Sequence, residues 1–335
     1  MSNAGFIAPK KSYFAAANGY SGFRSYFDKV FNPTSYIRLY ILKGGPGTGK
    51  SSLMKRVCTH FTDSSYECEA IYCSSDPKSL DGVIINGKNG RIGILDGTAP
   101  HETDAKFPGT IDEIINLGSA WNREALSRER ARIVMLAKSK SEHYKAAYEY
   151  LMLAGSFDSK MMALTEPCFK GNDKINDMFL SNLCIKKCGR INSSMLLSSF
   201  GKNGFYTVDT PLSSSRSTYS VVGKYGTEYL VLNSISSECK SRGIDFVRFP
   251  SPYSDSLTEA IYIPENDTFI SAGVKLENGI EASQLLDSEA IDKNKDRLEF
   301  YEKEKNALLS LAKDEFKKAS DCHFSLEASP SFFRP

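Results

Sequence analysis

The sequence predicts an α/β fold, a three-layer α/β/α unit around a mainly parallel sheet, laid down twice in tandem. Three observations predict it. A strand at 36–43 (YIRLYILK) runs into a glycine-rich loop at 44–51 and then a helix. A second apolar strand, Arg91 to Leu95, ends in Asp96 about 45 residues after the loop lysine. The same succession of elements recurs in the second half, at an offset of about 172–182 residues.

The first unit opens with Phe14 to Phe23, whose Gly19-Tyr20-Ser21-Gly22-Phe23 precedes the strand at 36–43. That strand feeds Gly44-Gly45-Pro46-Gly47-Thr48-Gly49-Lys50-Ser51, a full match to the G-x-x-x-x-G-K-[ST] pattern of a phosphate-binding P-loop. Ser52 to Val57 begins the helix. Each residue type has a chemical reason. Glycines let the backbone curl until its N–H groups surround phosphate oxygens. The helix start then aims its unpaired N–H groups and positive dipole end at the same charge. Lys50 is expected to reach the β- and γ-phosphates, the Ser51 hydroxyl to coordinate Mg²⁺, and Gly44 through Ser52 to form the nucleotide cradle.

Asp96 is the candidate Walker B carboxylate, holding Mg²⁺ directly or through water. The glutamate that often follows such an Asp is absent, since Gly97 stands there, so rapid hydrolysis is not implied. Tyr66 to Cys73 reads as another strand with Asp76 past its end, where open parallel sheets bind ligands. Asp76 either orients a water or acceptor hydroxyl, or caps a helix beginning at Pro77. His101 and Glu102 either polarise water or belong to a surface loop. A charged helical stretch at 122–153 closes the unit. In it Arg123, Arg128, Arg130 and Arg132 invite an arginine-finger or lid role, Arg128 and Arg132 sharing a face, but Glu124 and Glu129 among them favour a solvated, salt-bridged surface.

In the second unit, Gly201 to Phe205 matches the opening element, and Tyr219 to Thr227 matches the strand and loop. Strands at 244–249, 261–263 and 268–273 follow in the same order, and a charged helix at 287–320 ends the series. The chemistry differs. Gly49 aligns with Glu228, Lys50 with Tyr229, Ser51 with Leu230 and Asp96 with Ala272. A carboxylate and a bulky phenol in place of glycine and lysine oppose binding of a triphosphate. The expected organisation is 1–155 for the intact unit, 156–194 for a connector and 195–335 for the degenerate one.

Composition narrows the function classes. The 42 basic and 40 acidic residues nearly cancel, so a nucleic-acid partner is not indicated. There is no apolar run long enough to span a membrane, and Met1 to Lys11 lacks the order of a secretory signal. The eight cysteines are scattered; Cys184 and Cys188 lack a second pair at zinc-site spacing. A reducing, cytoplasmic setting is expected. Asn294-Lys295-Asp296 does not satisfy the guanine-reading N-K-x-D pattern and no D-x-x-G follows the Asp96 strand, which favours ATP over GTP.

GGPGTGKSSLMK (44–55), CSSDPKSLDGVII (73–85), ILDGTAPH (94–101) and EIINLG (113–118) together resemble a family of bacterial tandem P-loop ATPases of uncharacterised role. The resemblance implies duplicated P-loop NTPase domains and ATP binding, with no established substrate; the second loop, often intact in that family, departs from it here. Three functions are therefore expected to compete. The first is a Mg²⁺-dependent ATPase with one working site. The second is a phosphotransferase acting on a small acceptor with Asp76 as base. The third is a non-catalytic, ATP-responsive interaction module. A protein partner or a homo-oligomer is compatible with each.

Overall fold

The computed structural model describes residues 9, 11–171, 173–180, 191–192, 195–208, 215–273 and 278–328. Cys184 and Cys188, like residues 181–190 of the expected connector, lie outside them. The first half contains β1 (Lys11–Phe14), β2 (Ala16–Gly19), β3 (Gly22–Ser25), α1 (Phe27–Val30), β4 (Arg38–Lys43), α2 (Lys50–Asp63) and β5 (Glu67–Tyr72). It continues through β6 (Leu80–Gly87), β7 (Gly90–Asp96), β8 (Asp112–Asn116), α3 (Arg123–Arg128) and α4 (Arg130–Thr165). After α5 (Asp173–Leu180) and β9 (Ile191–Asn192) come β10 (Ser198–Gly201), β11 (Gly204–Thr207), β12 (Ser217–Val222) and α6 (Thr227–Ser241). The chain ends through β13 (Phe246–Pro250), β14 (Thr258–Ile263), β15 (Thr268–Ala272), β16 (Gly279–Glu281), α7 (Ser288–Asp292) and α8 (Lys295–Glu327).

Two six-stranded mixed sheets result, with orders β1-β5-β6-β7-β4-β8 and β9-β13-β14-β15-β12-β16. Position by position the two orders agree, and so do the strand directions. In each sheet only the third strand, β6 or β14, runs against the other five. The reversal has a local cause. Lys88 and Asn89 alone separate Gly87 from Gly90, and two residues can join only antiparallel neighbours. Outside the sheets, β2–β3 and β10–β11 form a hairpin in each half.

Burial explains the placement of the strands. Leu80 to Ile85 on β6 are all buried, as expected for a strand covered on both faces. On one face α2 inserts Met54 and Cys58 against Leu42, Val83 and Ile85. Among the described residues, no side chain of a long helix joins the cluster on the other face. There α1, the hairpin residues Ala15 to Ala17, and Leu196 and Val208 from the second half cover Leu39, Ile41 and Ile84. The outer layer on that side is therefore short and irregular, because the neighbouring half does part of the covering.

The two halves grip each other reciprocally. Arg24 on β3 donates to the Ser251 carbonyl and pairs with Asp255 at 3.0 Å, and the Tyr26 hydroxyl donates to Asp255. In return Ser199 Oγ donates to the Ser74 carbonyl at 2.8 Å, and Tyr206 on β11 donates to the same oxygen. Each hairpin thus holds the loop that follows the matching strand of the opposite half.

Helices α4 and α8 run antiparallel over 36 and 33 residues, roughly 50 Å each. Tyr144 and Tyr148 pack edge-on against Phe316, and Phe157 meets Phe300 and Tyr301. Within this seam Lys305 Nζ lies 3.0 Å from Asp158, whose side chain is only 5% exposed. Helix α4 runs through the expected boundary at 155 and past the expected helix end at 153, because its last turns find Phe300 and Tyr301 to pack against. Among the described residues no helix is long and apolar enough to cross a membrane.

Candidate functional site

The loop between β4 and α2 depends on left-handed backbone at Gly47 (φ 76°) and Gly49 (φ 79°), conformations a Cβ disfavours. Thr48 Oγ1 donates to the Gly45 carbonyl at 2.8 Å and pins the tip. Helix α2 starts at Lys50, directly after Gly49, which has no side chain with which to cap the first-turn N–H groups. Those donors and the helix dipole open onto the loop.

Lys50 folds back over this loop. Its Nζ donates to the carbonyls of Gly44 at 2.6 Å and Gly45 at 3.1 Å, and it lies 3.5 Å from Asp96 Oδ2. Parallel pairing of β4 with β7 sets Asp96 level with Leu42, two residues before the loop. Asp96 Oδ1 accepts the Thr98 N–H at 2.9 Å and the Thr98 hydroxyl. Burial raises the Asp96 carboxyl above its ordinary value, while the Lys50 ammonium and the Thr98 bonds oppose the rise. Ser51 Oγ accepts the N–H of Leu80 at 2.9 Å, tying the helix start to β6. Ser51 and Asp96 offer hard oxygen donors of the kind Mg²⁺ takes in ones and twos beside phosphate oxygens and water. Among the described residues no group of three or more His, Cys, Asp and Glu side chains forms a self-sufficient metal site.

The other expected residues are engaged elsewhere. Asp76 closes an Asx turn, accepting the Lys78 N–H at 3.2 Å and the Ser79 hydroxyl at 2.7 Å, and no helix follows it. His101 is buried, with its ring stacked on Phe27 at 4.3 Å and its Nε2 3.0 Å from Asp81. Glu102 is exposed. Arg128 and Arg132 pair with Glu124 and Glu129 on the surface of α3 and α4. Gly97 has a steric reason for following Asp96: a Cβ there would stand 2.4 Å from Ile41 Cγ2 and 3.1 Å from the Thr103 carbonyl. A side chain at this position has no room.

Two acidic residues near the loop were not singled out from sequence. Asp81 is buried on β6 and helps raise the Asp96 carboxyl. The signal was present, a lone charge at the head of the apolar run LDGVII. Glu327 ends α8, and its carboxyl is held below its ordinary value by His323 first, with Lys50 lowering it further and Asp76 opposing. The last helix of the second half therefore sets a carboxylate within electrostatic reach of the first-half loop. No local pattern announces that proximity.

The loop between β12 and α6 matches the β4–α2 loop at two residues and differs at its helix start. Gly226 is left-handed at φ 82°, like Gly47, and Thr227 Oγ1 donates to the Lys224 carbonyl at 2.9 Å, like Thr48. Yet α6 begins at Thr227, two residues earlier in the aligned loop, because Glu228 takes the helical turn that Gly49 interrupts. Glu228 Oε2 lies 2.8 Å from the point where a Gly223 Cβ would stand, so its carboxylate occupies the loop itself. Burial raises that carboxyl, with Asp158 adding to the rise and Lys305 opposing it. Tyr229, aligned with Lys50, is buried edge-on against Tyr253.

No protein-family model, curated protein or solved structure matches the chain.

Proposed function

We propose that the chain is a Mg²⁺-dependent ATP-binding protein with one working phosphate loop, a slow ATPase whose second half is a degenerate P-loop unit. The observation that carries the reading is Lys50. Its ammonium bridges the Gly44 and Gly45 carbonyls beside Asp96, at the mouth of a helix whose first N–H groups face the same loop. A triphosphate entering there exchanges those carbonyls for phosphate oxygens as partners of Nζ, while the loop and first-turn N–H groups take the remaining oxygens. Ser51 and Asp96 would hold the Mg²⁺, which neutralises charge on the β- and γ-phosphates.

The degenerate-copy reading draws support from the matching strand orders and from the paired loops, with Gly47 and Thr48 on one side and Gly226 and Thr227 on the other. In the second loop the Glu228 carboxylate stands where an incoming phosphate would need to lie, and repulsion at that range excludes it.

Slow turnover follows from what surrounds the loop. Hydrolysis needs water to attack the γ-phosphorus as the β–γ bridging P–O bond breaks, with a base to take the proton. Gly97 offers no side chain, His101 is buried with its ring stacked on Phe27 and its Nε2 beside Asp81, and Asp76 is committed to its own turn. The same commitments favour a second reading, a module that binds ATP and signals by shape without turning it over. Phosphate release by the purified chain with Mg²⁺ and ATP, and no acceptor, separates the two. Release that stops with EDTA and with Lys50→Ala supports the ATPase. Tight binding without release supports the module, and ADP formed only with an added metabolite would favour phosphotransfer instead.

A further inference from the structure

Parallel pairing of β8 with β4 sets Asn116 level with Lys43, the residue immediately before the loop. The end of β8 therefore opens on the same edge of the sheet as the phosphate loop, the edge where ligands of open α/β sheets bind. A short 3₁₀ turn, Leu117–Ala120, follows, with Trp121 closing it. The indole packs against the loop: Cζ2 lies 3.4 Å from the position of a Cβ on Gly45, and Cζ3 lies 3.3 Å from that of a Cβ on Gly118. Beyond it lies a cavity of about 570 Å³ lined by Asn116, Trp121, Arg123, Arg130, Ile133 and Val134. That volume suits a nucleoside.

The lining has an unusual composition for a surface hollow. Arg128 and Arg132, on the same helices, are neutralised by Glu124 and Glu129. Arg123 and Arg130 line the cavity, and neither makes an ion pair among the described residues. Asn116 uses its Oδ1 to accept the Gly118 N–H at 2.9 Å, and its amide nitrogen has no partner among the described residues. The cavity thus combines an aromatic plane, an aliphatic wall from Ile133 and Val134, an amide donor and two uncompensated guanidinium groups. In the second half the matching 3₁₀ turn closes on Leu286, and Glu281 stands where Asn116 stands in the first.

We propose that this cavity is the nucleoside subsite, with adenine stacked on Trp121 and the ribose and α-phosphate side facing Arg123 and Arg130. The proposal rests on the reading of Gly44 to Ser51 as the phosphate site, which it extends by one contact across Gly45. Aromatic stacking suits a base because every base presents a π-face, and arginine suits its sugar–phosphate end.

Trp121 is the sole tryptophan of the chain, so its emission reports on this cavity alone. The test titrates the full chain with Mg-ATP and, separately, with Mg-tripolyphosphate, by fluorescence and by calorimetry. ATP is expected to change Trp121 emission saturably and to bind at least tenfold more tightly than tripolyphosphate. Trp121→Ala should bring the ATP-to-tripolyphosphate affinity ratio down toward one, and Trp121→Phe should restore most of it. The subsite is overturned if Trp121→Ala leaves the ATP-to-tripolyphosphate ratio intact, or weakens both ligands equally. The phosphate reading fails by a different result, tripolyphosphate binding that is indifferent to Lys50→Ala.

Discussion

Glu259 on β14 makes a sharp pH prediction. One carboxylate oxygen accepts the Ser198 hydroxyl, while Oε2 is buried without a hydrogen-bond partner. Burial raises its carboxyl from 4.5 to about 7, and Ser198 and Arg24 only partly oppose the rise. The folded state therefore holds this proton more tightly than the unfolded chain does. Stability from this group is intact below about 4.5, declines as pH climbs, and is fully lost above about 7. The gap between 4.5 and about 7 corresponds to about 3 kcal/mol at pH 8. Glu259→Gln keeps an acceptor for Ser198 and cannot ionise, and Arg24 retains Asp255. The variant should match the parent near pH 4.5 and unfold later at pH 8, by roughly 4–5 °C for a chain of 335 residues. Thermal unfolding followed by circular dichroism at several pH values reads this directly. A gap that is equal at pH 5 and pH 8, or a variant no more stable at pH 8, refutes the reasoning.

Two further perturbations probe the frame around the site. Lys305→Ala strands the buried Asp158 charge between α4 and α8 and should destabilise by about 3–5 kcal/mol in chemical denaturation, whereas the double change Asp158→Leu with Lys305→Met should be far milder. Equal losses for the two variants would mean that packing, not charge, holds the seam. Restoring the missing acid by Gly97→Glu should fail, because the new side chain meets Ile41: a stability loss of at least about 1–3 kcal/mol and no gain in phosphate release are expected, and faster release would contradict the steric account.

What the sequence disclosed was local. Strand, loop and helix signals fall together within residues 36–57, and there β4 leads through the loop into α2, while β7, ending in Asp96, pairs parallel with β4. Asp76 and His101 were harder to read. Position beyond a strand end suggested chemistry for both, but Lys78 and Ser79 claim the first, and Asp81 with Phe27 claims the second. Residue type and spacing say nothing of such competing partners.

The long-range features were out of reach for a related reason. The grip of Arg24 on Ser251 spans 227 residues, and that of Tyr206 on Ser74 spans 132, distances over which no periodicity carries information. The uneven outer layer follows from the same exchange, since Leu196 and Val208 come from the other half. Glu228 was recognisable as a charge unfriendly to phosphate. That it folds into its own loop depends on α6 starting at Thr227, directly after Gly226, with no second glycine such as Gly49 to delay the helix. Trp121 carried a compositional signal, a lone indole soon after a strand, whose meaning needed the contact with Gly45.

Isothermal calorimetry with Mg-ATP on the intact chain and on Lys50→Ala bears most directly on the account. One ATP per parent chain is predicted. The variant should lose at least about 100-fold in affinity, since charge-assisted bonds to two phosphates are worth about 3 kcal/mol together. Undiminished binding by Lys50→Ala, or two equivalents of ATP per parent chain, would contradict it.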